Sequence, residues 1–110
     1  MELNLQVFGD IAVLRLREDH LDASNSKDFR RDVVTCIESH LRVIFDMTEV
    51  QFVDSSGCGV LLSCLRDLNG RGGDLKLCGI SKPVRALFEL VRMHKIFEIY
   101  NNVDEALHSF

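Results

Sequence analysis

Val43-Ile44-Phe45-Asp46-Met47 decides the fold class. The run is nearly continuous in apolar residues and too short for a helix, as expected of a strand covered on both faces of a parallel sheet. After the seven residues 48–54 the period becomes helical: Val60, Leu61, Cys64, Leu65 and Leu68 share one face, with Arg66 and Asp67 on the other. Asn69-Gly70-Arg71-Gly72-Gly73 stops that helix, since glycine takes the left-handed conformation that closes a helix C-terminus. Leu75-Lys76-Leu77-Cys78 then alternates as a second strand. A strand, a helix and a further strand of this spacing form a parallel crossover unit.

The same pattern continues in both directions. Leu3-Asn4-Leu5-Gln6-Val7 alternates with period two, and Gly9-Asp10 separates it from Ile11-Ala12-Val13-Leu14-Arg15-Leu16, which predicts a hairpin with a II′ turn. The polar stretch Asp22–Ser26 can cap a helix whose face runs through Phe29, Val33, Cys36, Ile37 and His40 or Leu41. Ser81-Lys82-Pro83 opens another helix, with proline in the first turn, and Val84, Leu87, Phe88 and Val91 form one buried face. Ile96-Phe97-Glu98-Ile99-Tyr100 reads as a last strand. Asn102 and Glu105 form a capping pair before Val103, Ala106, Leu107 and Phe110. The predicted order is β-β-α-β-α-β-α-β-α. This is an α/β fold with a mostly parallel mixed sheet, an N-terminal β-hairpin and about four α-helices, forming one domain over residues 1–110.

Thirteen Lys and Arg against seventeen Asp and Glu give a net charge of −4, with a pI of about 5.5. The basic stripe needed for nucleic acid is missing, and an anionic membrane surface is disfavoured for the same reason. The N-terminus lacks a signal-peptide pattern, and the apolar runs fall far short of the ~20 residues of a membrane span. A cytoplasmic protein without membrane insertion is expected. Cys36, Cys58, Cys64 and Cys78 form no C-x-x-C pair and have no histidine at zinc-finger spacing. They read as small hydrophobes, with no metal and no cofactor implied.

One segment departs from routine scaffold: Val53-Asp54-Ser55-Ser56-Gly57-Cys58-Gly59, between the central strand and its helix. Loops leaving the carboxyl ends of parallel strands are where α/β folds place their sites. A hydroxyl here sits beside unpaired N–H groups and the positive end of the helix dipole, a position that tolerates phosphate. Asp54, Ser55 or Ser56 could equally be a plain N-cap, with Gly57 and Gly59 allowing close packing or close approach by another molecule. Dinucleotide, P-loop and nucleophile-elbow patterns are absent. Ser56 or Cys58 as a nucleophile would require a base, and His20, His40, His94 and His108 are scattered along the chain. A helix N-terminus can lower the pKa of a thiol, which makes Cys58 a candidate for redox reactivity. Asp46 either faces a site at the strand end or caps the following loop. Arg15, Arg17, Arg30, Arg31, Arg71, Glu49, Asp67 and Glu89 read as solvated charges.

At Asp54-Ser55-Ser56-Gly57-Cys58-Gly59-Val60 the chain resembles the STAS family, specifically the bacterial anti-sigma factor antagonists. Leu21-Asp22-Ala23-Ser24-Asn25, Val43–Met47, Gly72–Leu77, Val84–Leu90, Ile96–Tyr100 and Val103–Leu107 extend the resemblance along the chain in order. It implies a binding protein without catalysis of its own. Its partner would be an anti-sigma factor that is also a serine kinase, whose capture releases a sigma factor. Phosphorylation of the second serine, Ser56, with Ser55 as the second candidate, would end the binding, and a serine phosphatase would restore it. Asp54, Ser55, Gly57 and Cys58, with the loop Asp22, Ala23, Ser24 and Asn25, would form the partner surface. The alternative within the family is a non-switching scaffold subunit of a stress-signalling or lipid-transport complex. Cys58 stands where many relatives carry a larger apolar residue, usually Leu, and His94 has no transferable role.

Overall fold

The structure, a computed structural model, describes residues 1–110. Strand β1 (Leu3–Phe8) turns through Gly9-Asp10 into β2 (Ile11–Leu16), with Phe8 opposite Ile11. Gly9 has φ +64° and Asp10 does not take positive φ, the combination a II′ turn requires. The other strands of the main sheet are β4 (Arg42–Asp46), β6 (Asp74–Cys78) and β7 (Ile99–Tyr100), in the order β1-β2-β4-β6-β7. All neighbours are parallel except the antiparallel β1–β2 hairpin. The central position of β4 explains its apolar run, because Val43 to Asp46 are all buried.

Helices α1 (Ser26–Ile37), α2 (Ser55–Gly70) and α3 (Lys82–Leu90) cover one face, over a core that includes Leu14, Phe29, Phe45, Leu61, Leu77 and Phe88. Phe29 meets Phe45 edge to face with ring centroids 5.7 Å apart. Helix α4 (Val103–His108) covers the other face through Ala106, above Val13, Ile44 and Cys78. Asn102 caps α4, its side-chain Oδ1 accepting the Glu105 N–H at 2.9 Å.

Several expectations are corrected. The predicted strand Ile96–Tyr100 pairs only over Ile99 and Tyr100. A 3₁₀ turn, Met93–Lys95, binds the N–H groups of Ile96 and Phe97 to the Met93 carbonyl and sends Phe97 into the core, which leaves two residues for the sheet. The first helix ends at Ile37, short of His40 and Leu41. Arg71 closes its end, with Nη1 donating to the carbonyls of Glu38 (3.2 Å) and His40 (3.5 Å) and Nη2 to that of Ile37 (3.4 Å). Arg71 is therefore a helix cap and not a free surface charge. Arg30 is also partly buried, with Nη1 3.7 Å from Cys64 Sγ. Of the expected α3 face, Val84 and Phe88 are buried, Leu87 is half-buried and Val91 is exposed. Two unpredicted strands of two residues each, β3 (His20–Leu21) and β5 (Phe52–Val53), pair in parallel and position the segments that precede α1 and α2.

Lys76 is an unpredicted buried charge at 5% exposure. Nζ donates to the Ser109 carbonyl and hydroxyl, both at 2.9 Å, lies 3.1 Å from Glu98 Oε2, and sits 4.3 Å from the centroid of the Phe110 ring. Its alternation in β6 points it to the face that α4 closes, so the ammonium is held by several partners at once.

Candidate functional site

The start of α2 is organised by Asp54. Its backbone is extended, as an N-cap requires, and its Oδ1 accepts the Gly57 N–H at 2.9 Å. Its other oxygen, Oδ2, accepts the Ala23 N–H at 3.1 Å, so one carboxylate joins the helix N-terminus to the loop before α1. The Asp54 N–H in turn donates to the Leu21 carbonyl at 3.4 Å. Of the three capping candidates Asp54 is therefore the cap, and the two segments singled out from sequence, Asp22–Asn25 and Asp54–Cys58, are brought side by side.

Gly57 makes that proximity possible. A side-chain carbon at Gly57 would enter the Leu21 carbonyl oxygen and stand 2.8 Å from Val53 Cγ1, so the helix rests directly on the β3–β5 pair. Gly59 differs: a carbon there would meet nothing within 4 Å. Packing accounts for the first glycine and not for the second.

The Asp22–Asn25 loop is closed by its own side chains. Asp22 Oδ1 accepts from the Ser24 N–H (2.9 Å) and hydroxyl (2.5 Å). Asn25 Oδ1 accepts the Asp22 N–H, and its Nδ2 donates to the His20 carbonyl, each at 2.9 Å. Asn25 precedes α1 without capping it through its side chain. The Ser24 hydroxyl is the main cause of an Asp22 carboxyl held below its usual pKa, and this outweighs desolvation.

Ser55 is exposed and Ser56 half-buried, and the Ser56 hydroxyl has no hydrogen-bond partner within the chain. The first ladder bond of α2 runs from the Cys58 N–H to the Asp54 carbonyl, and Asp54 takes the Gly57 N–H. The N–H groups of Ser55 and Ser56 thus lie at the open, positive end of the helix.

Cys58 is buried, and its thiol is pushed above the usual range by desolvation and then by the Asp54 charge. The expectation of a thiol activated by the helix terminus is overturned, because burial and a nearby carboxylate both oppose thiolate formation. Cys64 and Cys78 are raised further by burial, to about 11 and about 12. His20 bonds Asp19, His94 reaches the Phe88 carbonyl and His108 the Asp104 carbonyl, and no histidine bonds Ser56 or Cys58. Asp46 takes the structural role of its two alternatives. Its Oδ1 accepts from the Thr48 N–H (3.1 Å) and hydroxyl (2.5 Å), closing the loop that leaves β4.

The sequence reading missed a cavity of about 340 Å³ beside this turn, lined mainly by Cys58, Gly59 and Leu62 of α2 and by Leu87, Val91 and Ile96 beyond it. Its signal was available: a helical glycine without a packing role, and Val91 at the end of an otherwise buried stripe.

Comparison with known proteins agrees with this architecture. The STAS domain family matches residues 2–106. The anti-sigma F factor antagonist of Paenibacillus polymyxa is 28% identical over 109 residues, covering 97% of this chain and 92% of that protein. The crystal structure of a Thermotoga maritima protein superposes with a TM-score of 0.90 at 20% identity, covering 97% of this chain and 92% of that one. The anti-sigma factor antagonist SpoIIAA in its unphosphorylated form is similar (TM-score 0.77, 25% identity, 96% and 93% covered), as is the Bacillus cell fate determinant SpoIIAA in the phosphorylated form (0.72, 24%, 98% and 98%). With a family match over nearly its whole length and the corresponding fold, the chain belongs to the STAS domain family.

Proposed function

We propose that this protein is a cytoplasmic anti-sigma factor antagonist, a binding module without catalysis or cofactor. Unphosphorylated, it binds an anti-sigma factor that is also a serine kinase and so releases a sigma factor. Phosphorylation of Ser56 ends the binding, and a serine phosphatase reverses it. The observation that carries this reading is the Ser56 hydroxyl, free of internal partners in the first turn of α2, beside a loop that Asp54 holds against it. The relatives named as anti-sigma factor antagonists, and SpoIIAA having a phosphorylated form, support it.

The partner surface comprises Asp22, Ala23, Ser24 and Asn25 together with Asp54 and Ser55, while the buried Gly57 and Cys58 shape the turn from beneath. A phosphate adds about −1.5 to −2 charges and three acceptor oxygens, which a docked partner must desolvate beside the Asp54 carboxylate. A loss of roughly 3 kcal/mol weakens binding somewhat more than 100-fold. The helix terminus accommodates the phosphate in the free protein, so the fold itself need not change.

The test is a paired pulldown from host extract with Ser56→Ala and Ser56→Asp baits, bound proteins being identified by mass spectrometry. A small ATP-binding kinase held by the alanine bait and absent from the aspartate bait is expected. A large complex retained equally by both would overturn the switch in favour of a scaffold subunit.

A further inference from the structure

The two edges of the main sheet are unlike. At one edge β7 contributes two residues, Ile99–Tyr100. At the other, β1 runs regularly for six residues, Leu3-Asn4-Leu5-Gln6-Val7-Phe8, with no charge, no proline and no bulge in its register with β2. Sheet proteins ordinarily protect such an edge by those devices, by keeping it short, as at β7, or by covering it with a helix or loop. Leu5, Val7 and Phe8 are 38%, 51% and 44% exposed, so the apolar side chains of this strand are only partly covered by the protein itself.

The hydrogen-bond phase is determined by the Arg17 N–H, which donates to the Glu2 carbonyl across the start of the hairpin. In an antiparallel ladder alternate residues direct both backbone groups to the partner strand. Even-numbered residues of β1 therefore bond β2, and Leu3, Leu5 and Val7 direct their N–H and C=O groups to the open edge.

We propose that this edge is a self-association surface, where β1 pairs antiparallel with β1 of a second copy about a two-fold axis at Leu5. That register uses all three outward residues. Leu3 meets Val7 of the second copy and Leu5 meets Leu5, for about six backbone hydrogen bonds. On one face it sets apolar side chains against apolar ones, and on the other Asn4 against Gln6 and, at the two ends, Glu2 against Phe8, so that no like charges are opposed. The self-complementarity identifies a second copy as the occupant, because an isologous contact requires a patch that matches itself. A contact one strand wide along a six-residue edge of about 20 Å buries less than the about 800 Å² per partner of a standard interface, so the dimer is weak and concentration-dependent. The pairing is independent of the proposed Ser56 switch.

Backbone amide exchange of the wild-type chain, followed by NMR at about 20 µM and about 1 mM, reads the contact directly. The amides of Leu3, Leu5 and Val7 should slow at least about threefold at the higher concentration, while those of Asn4, Gln6 and Phe8, already bonded to β2, stay unchanged. In sedimentation equilibrium, Leu5→Lys and Leu5→Glu should each be monomeric alone and dimerise when mixed, since the axis sets position 5 against itself. Val7→Lys, at a more exposed position, should also be monomeric. A wild-type monomer with unchanged odd-numbered amides at about 1 mM overturns the proposal, as does a dimer that survives these substitutions.

Discussion

Gly57 and Gly59 stand two residues apart in one helix, and helix propensity alone gives both the same response to alanine, a gain of about 1 kcal/mol. The structure gives them opposite signs. A methyl at Gly57 enters the Leu21 carbonyl oxygen and lies 2.8 Å from Val53 Cγ1 and 3.0 Å from the Leu21 carbonyl carbon. Neither strand can yield freely: Leu21 pairs with Val53, and the Leu21 carbonyl also accepts the Asp54 N–H. Overpacking against backbone costs more than the propensity gain, and a net destabilisation of about 1–3 kcal/mol is expected for Gly57→Ala. For a domain of this size each kcal/mol lowers Tm by about 4 °C. Gly59→Ala meets nothing within 4 Å and should gain up to about 1 kcal/mol. Urea unfolding at a shared m-value measures both as midpoint shifts in opposite directions. A Gly57→Ala variant as stable as wild type would refute the claim that α2 rests on the Leu21 carbonyl.

Two further outcomes follow from particular side chains. Lys76→Ala and Lys76→Met both strip the donor from the Ser109 carbonyl and hydroxyl, but only alanine also opens space beside Phe110, so alanine should cost about 2–3 kcal/mol and methionine, which keeps the apolar stem, about 1 kcal/mol less. Equal losses in chemical denaturation would show that the ammonium, and not the packing, holds α4. Asp22 titrates below its ordinary value of 3.8, first because of the Ser24 hydroxyl. A depressed carboxylate contributes stability that is present above pH ~4 and lost as the pH falls through the folded pKa. Ser24→Ala should therefore move the Asp22 carboxyl titration, followed by NMR, up toward 3.8 and flatten that part of the acid branch; an unmoved titration would mean the hydroxyl is not the cause.

The larger elements were legible because their periods are strong and local. The apolar run of β4 marks its central place, and Gly9-Asp10 and the Asn102–Glu105 pair carry their geometry in adjacent residues. What escaped depends on contacts distant in sequence. Strands β3 and β5 have two residues each and no period to detect, yet they set the spacing between Leu21 and Gly57. The end of α1 depends on Arg71, thirty-three residues beyond Glu38, so composition could only class that arginine as solvated. At Cys58 the dipole of a helix start is visible in sequence, while the burial and the Asp54 charge that outweigh it are not. Gly57 and Gly59 are alike in residue type, but the helical period of Val60, Leu61, Cys64, Leu65 and Leu68, carried back one turn, reaches Gly57 and not Gly59.

Asp54 links these points to function. Each of its oxygens has one backbone donor, Gly57 on α2 and Ala23 on the neighbouring loop, so its charge is spent on holding two segments in register. The N–H groups of Ser55 and Ser56 are left without ladder partners at the end of the helix, where the dipole favours an anion. On the proposed reading, a phosphate on Ser56 finds donors that the fold has not used, and Asp54 keeps its own. The modification then changes the charge and bulk of a surface whose shape stays the same. That division suits a reversible switch: refolding is needed neither to accept the phosphate nor to lose it, and the whole energetic difference falls on the docked partner. Reorganisation of the loop, by contrast, would require breaking the Asp54–Ala23 bond and the Asp22–Ser24–Asn25 closure together.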